Sequence, residues 1–215
     1  AQVAGHGGVD VGVGGFLLAP EQRGGAHDLA ALAVAALGHV VLDPGGMHGL
    51  AHLVIGGNGF LGSHVTRQLA EAGEDVRVTV RPSANTAAID DLELTRFVGD
   101  IFDLAMIREA MAGCDVVYYC VVDTRAWLRD PSPLFHTNVD GLRGVLEVAA
   151  EMAAAGSLKK FVFTSSYATV GRKKGRVATE ADLIDRGRLT AYERSRVQAE
   201  DLVLSYARER HLPAV

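Results

Sequence analysis

The chain has 215 residues, 48% hydrophobic and 22% charged, which is the usage of a folded globular protein and excludes a disordered or collagen-like one. Twenty-one Lys and Arg stand against 26 Asp and Glu, a formal net charge of −5, so the chain carries no basic footprint for nucleic acid or an anionic lipid surface. One or two domains with a real core fit this length, 25 glycines mark many special backbone positions, and small molecules are the expected partners.

Composition changes abruptly near residue 51. Residues 1–50 hold 12 of the 25 glycines and four of the eight histidines, yet no Ser, Thr, Asn, Lys, Ile or Tyr. We read 1–51 as a Gly/Ala-rich leader, either native or a non-native extension such as an over-extended reading frame. Within it, Asp28 to Gly38 reads as a short helix with an Asp cap and a Gly stop, and His39 to Leu42 as a strand ended by Asp43-Pro44-Gly45-Gly46. The longest uncharged apolar stretch, Leu29 to Leu42, is shorter than the ~18 residues of a membrane span. The first residues lack the Lys or Arg of a signal peptide, so a cytoplasmic protein is expected. Cys114 and Cys120 show neither CxxC nor zinc spacing and read as buried free thiols of a reducing compartment.

From His52 onward, strand-like and helix-like segments alternate. Leu53-Val54-Ile55 is a short apolar strand, and Leu61, Val65, Leu69 and Ala72 follow at helical spacing up to Gly73. Val76 to Val80 and Arg96 to Gly99 predict the second and third strands. Asp103 caps a short helix that ends at Gly113. Val116 to Val122 is a continuous apolar run of the kind buried on both faces of a parallel sheet. Val139, Leu142, Leu146 and Ala149 line one face of a longer helix, over about 134–155, that stops at Gly156. Phe161 to Phe163 is a fifth strand, and Thr190 with Glu193 forms a capping box for a last helix running to about Arg210. This order predicts an α/β fold, a doubly wound parallel sheet over residues 52–215.

Gly56-Gly57-Asn58-Gly59-Phe60-Leu61-Gly62 lies between the first strand and the first helix. In that context glycines let the backbone approach a pyrophosphate, and the helix N-terminus offers free N–H groups and partial positive charge. The second strand ends Val80-Arg81-Pro82-Ser83, without the carboxylate that would bind a ribose 2′-hydroxyl. Arg81 there reads as a partner for a 2′-phosphate, favouring NADP with NAD as the alternative, or as a solvated arginine at a strand end. Asp100 reads as an acceptor for the adenine amino group or as an ordinary Asp leading a helix.

The fifth strand ends Thr164-Ser165-Ser166, and Tyr192 and Arg196 stand four apart on the last helix, on one face. A phenol beside a cation can act as general acid or base while a serine hydroxyl orients a carbonyl. With the glycine loop, these residues resemble the extended short-chain dehydrogenases/reductases, the NAD-dependent epimerase/dehydratase family, and most closely its members similar to dihydroflavonol reductases and 3β-hydroxysteroid dehydrogenases. Gly56, Gly59 and Gly62 match the family's GxxGxxG loop, Asp100 its adenine-binding Asp, Asn138 the Asn of its central helix, and Tyr192 its Tyr-x-x-x-Lys tyrosine. Ser165 and Ser166 match its serine pair, with Ser166 taken as catalytic. The resemblance implies a Rossmann-like fold, with Phe60, Leu61, Arg81, Ile101, Tyr192 and Arg196 also against the cofactor and no metal. It further implies a homodimer through a four-helix bundle, and a substrate-binding part C-terminal to residue 215.

The chain departs from the family in having Arg196 where the family has lysine, which keeps the charge but changes its shape and donor geometry. It also has Cys120-Val121-Val122 where relatives carry small residues beside the cofactor, so these valines are expected to crowd it. The expected function is hydride transfer between NADP, or NAD, and a secondary alcohol or ketone. Tyr192 would move the proton, Ser166 would hold the carbonyl oxygen, and Arg196 would bind the nicotinamide ribose and tune Tyr192. The alternatives are a nucleotide-sugar epimerase or dehydratase that retains its cofactor, and a non-catalytic dinucleotide-binding fragment. His48 and His52 do not read as a metal pair. Arg125 and Trp127 read as substrate-facing or as packing, and Arg172, Lys173, Lys174 and Arg176 as a solvated basic loop.

Overall fold

A computed structural model describes residues 49–171, 173–179 and 181–215. The helix read over 28–38 and the strand over 39–42 lie outside the described residues. Five parallel strands form one sheet: β1 (Ala51–Ile55), β2 (Asp75–Val80), β3 (Thr95–Val98), β4 (Val116–Tyr119) and β5 (Lys160–Phe163), in the order β3-β2-β1-β4-β5. The helices are α1 (Phe60–Glu71), α2 (Leu104–Met111), α3 (Ser132–Phe135), α4 (Leu142–Ala154) and α5 (Ala191–Glu209). At Phe161 the chain's last residues pair alongside β5, where Phe161 N–H donates to Pro213 O and Val215 N–H to Phe161 O, both at 2.9 Å.

The strands are apolar on both faces because both are covered, and the period of two sorts their residues into two cores. Leu53, Ile55, Val117, Tyr119, Phe161 and Phe163 pack with α2, α4 and α5. Val54, Val78, Val80, Val116, Tyr118 and Val162 pack with Val65 and Leu69 of α1 and with Ile89. This is the doubly wound architecture read from the sequence. His52, far from being a ligand, is buried, with Nδ1 3.4 Å from Tyr118 Oη and Nε2 3.6 Å from the Glu74 carboxylate, and burial lowers its pKa.

Two predicted elements differ from what is observed. The β4 ladder stops at Tyr119 and not at Val122, because its neighbours end there: Tyr119 pairs with Ile55, after which the chain turns at Gly56, and with Phe163. The Cys120 N–H makes the last bond, to Ile55 O at 3.0 Å, while farther on the Asp123 N–H is taken by the Asn138 side chain at 2.7 Å. The long helix over about 134–155 is present but interrupted by a π-helical turn over His136–Gly141, so α3 and α4 are separated by a widened turn that carries Asn138. The capping box is formed as expected: Glu193 N–H donates to Thr190 Oγ1 at 3.2 Å and Thr190 N–H to Glu193 Oε2 at 2.8 Å.

Candidate active site

The reversal of strand order beside β1 leaves a crevice at the carboxyl ends of the strands, where open α/β sheets take ligands. The glycine loop crosses it. Gly56 has φ +81, a conformation L side chains resist, and a Cβ on it would meet a Val121 methyl at 2.8 Å. Its N–H donates to Thr79 Oγ1 at 3.1 Å, and its carbonyl accepts the Gly59 N–H at 3.0 Å. A Cβ on Gly62 would land on that same carbonyl, so the close approach of helix to loop requires glycine there. Gly59 is the N-cap of α1, with no side-chain cap and no acidic residue in the first turn, so no carboxylate offsets the helix's positive end.

A cleft of about 560 Å³ opens over this loop. Gly56, Gly59, Arg81, Asp100 and Ile101 line it, together with Val121 and Val122 from the segment after β4. Arg81 is exposed at the end of β2. One Asp100 oxygen accepts the Phe102 N–H at 3.2 Å, so this carboxylate both lines the cleft and organises its own turn. Phe60 and Leu61 turn their side chains elsewhere, Phe60 edge-on to His64 at 5.6 Å and Leu61 onto the α1 core; what they offer a ligand is backbone. Glycine at each position where a Cβ would fill the cradle, above a helix end with no side-chain cap, fits the pyrophosphate of a dinucleotide.

Ser166, Tyr192 and Arg196 are outside the cleft wall, one strand over, on the end of β5 and the start of α5. The two regions touch where Cys120 Sγ, a cleft residue, lies 3.9 Å from Thr164 Oγ1. The serine pair divides. Ser165 donates its hydroxyl to the Glu200 carboxylate, whereas Ser166 Oγ accepts the Ala168 N–H at 3.2 Å and keeps its own hydrogen to donate. Tyr192 is half-buried in the first turn of α5. Arg196, one turn on, is 2% exposed; it donates to the Thr164 carbonyl at 2.5 Å and lies 5.1 Å over the Phe163 ring. Burial lowers its pKa, while Tyr192, Tyr119 and Glu200 favour its charge. Its Nε and the Tyr119 hydroxyl are both buried with no hydrogen-bond partner among the described residues, and burial pushes the Tyr119 phenol up.

Behind these groups sits a polar tie that the sequence flagged only at Asn138. Its amide, 1% exposed, accepts from Asp123 N–H at 2.7 Å and donates to Asp123 O at 2.9 Å and to Ser195 Oγ at 3.1 Å; Ser195 in turn donates to the Tyr192 carbonyl at 2.8 Å. The cleft edge after β4 is thereby fastened to the helix that carries Tyr192. Asp123, 8% exposed, holds Arg125 by contacts of 2.9, 3.1 and 2.5 Å, which keeps its carboxyl below the usual range. Arg125 therefore lines the cleft as a fixed guanidinium, and Trp127 is 76% exposed. Of the basic run, Lys173, Lys174 and Arg176 are exposed, as a solvated loop requires, and Arg172 lies outside the described residues; two of them nonetheless meet an acid. Arg176 holds Asp182 at 2.8 Å, Lys173 lies 3.7 Å from it, and the Asp182 carboxyl is lowered to about 2. Thr79, Asp123, Ser195 and Glu200 carried no sequence signal beyond their proximity to motif residues.

Residues 52–215 match the model of the NAD dependent epimerase/dehydratase family. The chain belongs to that family. Sterol demethylase protein B of Methylococcus capsulatus is 32% identical over 160 residues, covering 73% of this chain and 47% of that protein. A dihydroflavonol 4-reductase of Zea mays is 30% identical over 181 residues, 76% of this chain and 50% of the relative. Among solved structures, gox2253 superposes with TM-score 0.69 at 33% identity over 76% of this chain and 49% of that one. A UDP-glucose 4-epimerase of Brucella ovis in complex with NAD gives TM-score 0.67 at 25% identity over 77% and 50%. The chain thus spans about half the length of the relatives it matches. It is an NAD(P)-binding, Rossmann-like member of the epimerase/dehydratase family, and no helix among its described residues is long and apolar enough to cross a membrane.

Proposed function

We propose that this chain is the dinucleotide-binding part of an NADP-dependent oxidoreductase acting on a secondary alcohol or ketone. The observation that carries the reading is the glycine cradle on an uncapped helix end, with Ser166 and Tyr192 on the neighbouring strand and helix. When bound, the nicotinamide supplies or accepts the hydride. Tyr192 moves the proton at the substrate oxygen, Ser166 donates its hydroxyl hydrogen to that oxygen, and Arg196 keeps a positive charge facing Tyr192. For the nicotinamide ribose contact expected of Arg196, its guanidinium keeps donors free: among the described residues only Nη2 is bonded, to Thr164 O, and Nε is buried without a partner. The two free thiols fit a reducing compartment, the cytoplasm.

NADP is preferred because Arg81 lines the cleft at the end of β2 and no carboxylate stands there. Fluorescence titration of the chain is expected to give NADPH about tenfold tighter than NADH, and Arg81→Ala to level the two, since one charge-assisted contact is worth roughly a factor of ten. Equal affinity in the unaltered chain would remove Arg81 from the site. The second reading, an epimerase with retained NAD(P), is supported by the likeness to the Brucella ovis UDP-glucose 4-epimerase. Steady consumption of NADPH by a ketone in the longer protein would count against it. Family resemblance also implies a homodimer through the outer faces of α4 and α5, where Leu204 is 45% exposed. Sedimentation of the chain as a dimer at micromolar concentration is the expected result, and a monomer there would overturn it.

A further inference from the structure

Three side chains, Tyr192, Arg196 and Glu200, stand one above another at intervals of four along α5, on the face turned to the end of β5. Each of the lower two grips a different residue of the strand end. Arg196 donates to the Thr164 carbonyl at 2.5 Å, and Glu200 accepts the Ser165 hydroxyl. The next residue is Ser166. Its neighbour's hydroxyl is committed to Glu200 and the carbonyl two positions back to Arg196, so the turn that presents Ser166 is fixed from α5 at two consecutive residues.

We propose that Glu200 is a positioning residue of the candidate active site, holding Ser165 so that of the serine pair Ser166 is the one with its hydroxyl hydrogen free, and placing a carboxylate below the Arg196 cation that faces Tyr192. The proposal deepens the oxidoreductase reading and rests on it. Arg196 is faced by Tyr192 and Glu200 from α5, by the Tyr119 phenol from β4, and by the Thr164 carbonyl from β5. Arg186, on the short 3-10 turn before α5, also faces Glu200, but it is itself held by Asp201 at 2.6 and 2.8 Å. Among the described residues Glu200 is therefore the carboxylate that tempers Arg196, and Arg196 is the cation that Tyr192 meets. A carboxylate two turns from the phenol acts on it through the guanidinium between them, and its removal leaves that positive charge less compensated.

The test is the alkaline ultraviolet titration of tyrosines in the 215-residue chain. Subtracting the Tyr192→Phe curve, recorded in each variant background, isolates the Tyr192 step from the other four tyrosines: the exposed Tyr167 is common to both curves, burial moves Tyr118 and Tyr119 upward, and burial with the Glu147 carboxylate pushes Tyr206 up to about 12. In Glu200→Gln the Tyr192 step is expected to move to lower pH by about half a unit, since a negative charge is lost nearby. Ser165→Ala, which removes the tie but keeps the charge, is expected to leave the step in place. Each of these two variants is expected to lower the melting temperature by about 2–4 °C through the shared hydrogen bond. Glu200→Asp keeps the charge on a shorter arm, is expected to titrate within about 0.2 units of the unaltered chain, and is read in place of Glu200→Gln if that variant does not fold. An unmoved step in Glu200→Gln, an equal movement in Ser165→Ala, or a Glu200→Asp curve that has moved as far as half a unit overturns the proposal. The oxidoreductase reading fails by a different result, turnover that survives Tyr192→Phe, and the titration is unaffected by it.

Discussion

Gly62→Ala is expected to weaken NADPH binding by about 100-fold or more, a loss of ~2.7 kcal/mol in binding free energy. The added Cβ would fall on the Gly56 carbonyl oxygen, with the Gly56 carbonyl carbon at 2.9 Å and Gly57 Cα at 3.1 Å, so backbone and not a flexible side chain must yield. That backbone is held on both sides. The Gly56 N–H is bonded to Thr79 on β2, its carbonyl to the Gly59 N–H, and Val121 packs against its α-carbon. Relief therefore comes only from lifting α1 away from β1, which moves the first-turn N–H groups off the anion they would meet; overpacking of this kind costs about 1–3 kcal/mol of stability as well. Gly73→Ala is the control, because Gly73 has φ +80 but nothing within 4 Å of the new Cβ. It is expected to cost about 1 kcal/mol of stability through its backbone conformation and to leave NADPH binding unchanged. Titration and thermal melting of the two variants separate the cradle from general stability. A Gly62→Ala chain that binds NADPH within about threefold of the unaltered one would remove the dinucleotide from this loop.

What the sequence showed of this molecule was the part governed by local pattern. Apolar runs at Leu53, Val76 and Phe161 became strands because nothing in their surroundings opposed their propensity. Thr190 with Glu193, and Asp103 accepting the Met106 N–H at 3.0 Å, became caps because capping is settled within four residues. The glycine loop was legible for the same reason, its strand and helix being adjacent in the chain.

The candidate site was legible in its motif residues and hidden in what fastens them. Val116 to Val122 reads as one strand by composition, yet β4 ends at Tyr119 because β1 turns away at Gly56 and β5 ends at Phe163, and Asn138, fifteen residues from Asp123, takes the N–H of the segment beyond. The same side chain reaches 57 residues along the chain to Ser195, inside a widened turn that no periodicity announces. Arg125 left packing and substrate contact equally open because its partner, Asp123, looked like any loop acid until its burial at 8% exposure was visible. Glu200 is, in the sequence, one more acid on a helix whose outer face is charged; only the meeting of α5 with the end of β5 gives it Ser165. In each case the missing information is a long-range pairing, which depends on how the sheet stacks the segments and not on any window of the chain.

In the longer protein, Tyr192→Phe is expected to lower turnover of a ketone substrate by about a thousandfold while leaving NADPH affinity within about twofold, the size usual for loss of a positioned acid or base. The substitution removes one oxygen and nothing that the fold needs. The tie to Ser195 uses the Tyr192 backbone carbonyl, the capping box uses Thr190 and Glu193, and Arg196 is anchored at Thr164 and Phe163. The cleft walls do not include Tyr192, so the cradle at Gly56 and Gly59 is untouched and binding is retained. Ser166 can still donate to the substrate oxygen, which stabilises charge there but supplies no proton, so activity is expected to fall short of complete loss. A fall in turnover with affinity preserved assigns the proton to Tyr192. If turnover persists instead, the proton must come from elsewhere, and Ser166 with Arg196 would then be a binding pair for the carbonyl oxygen without an acid between them.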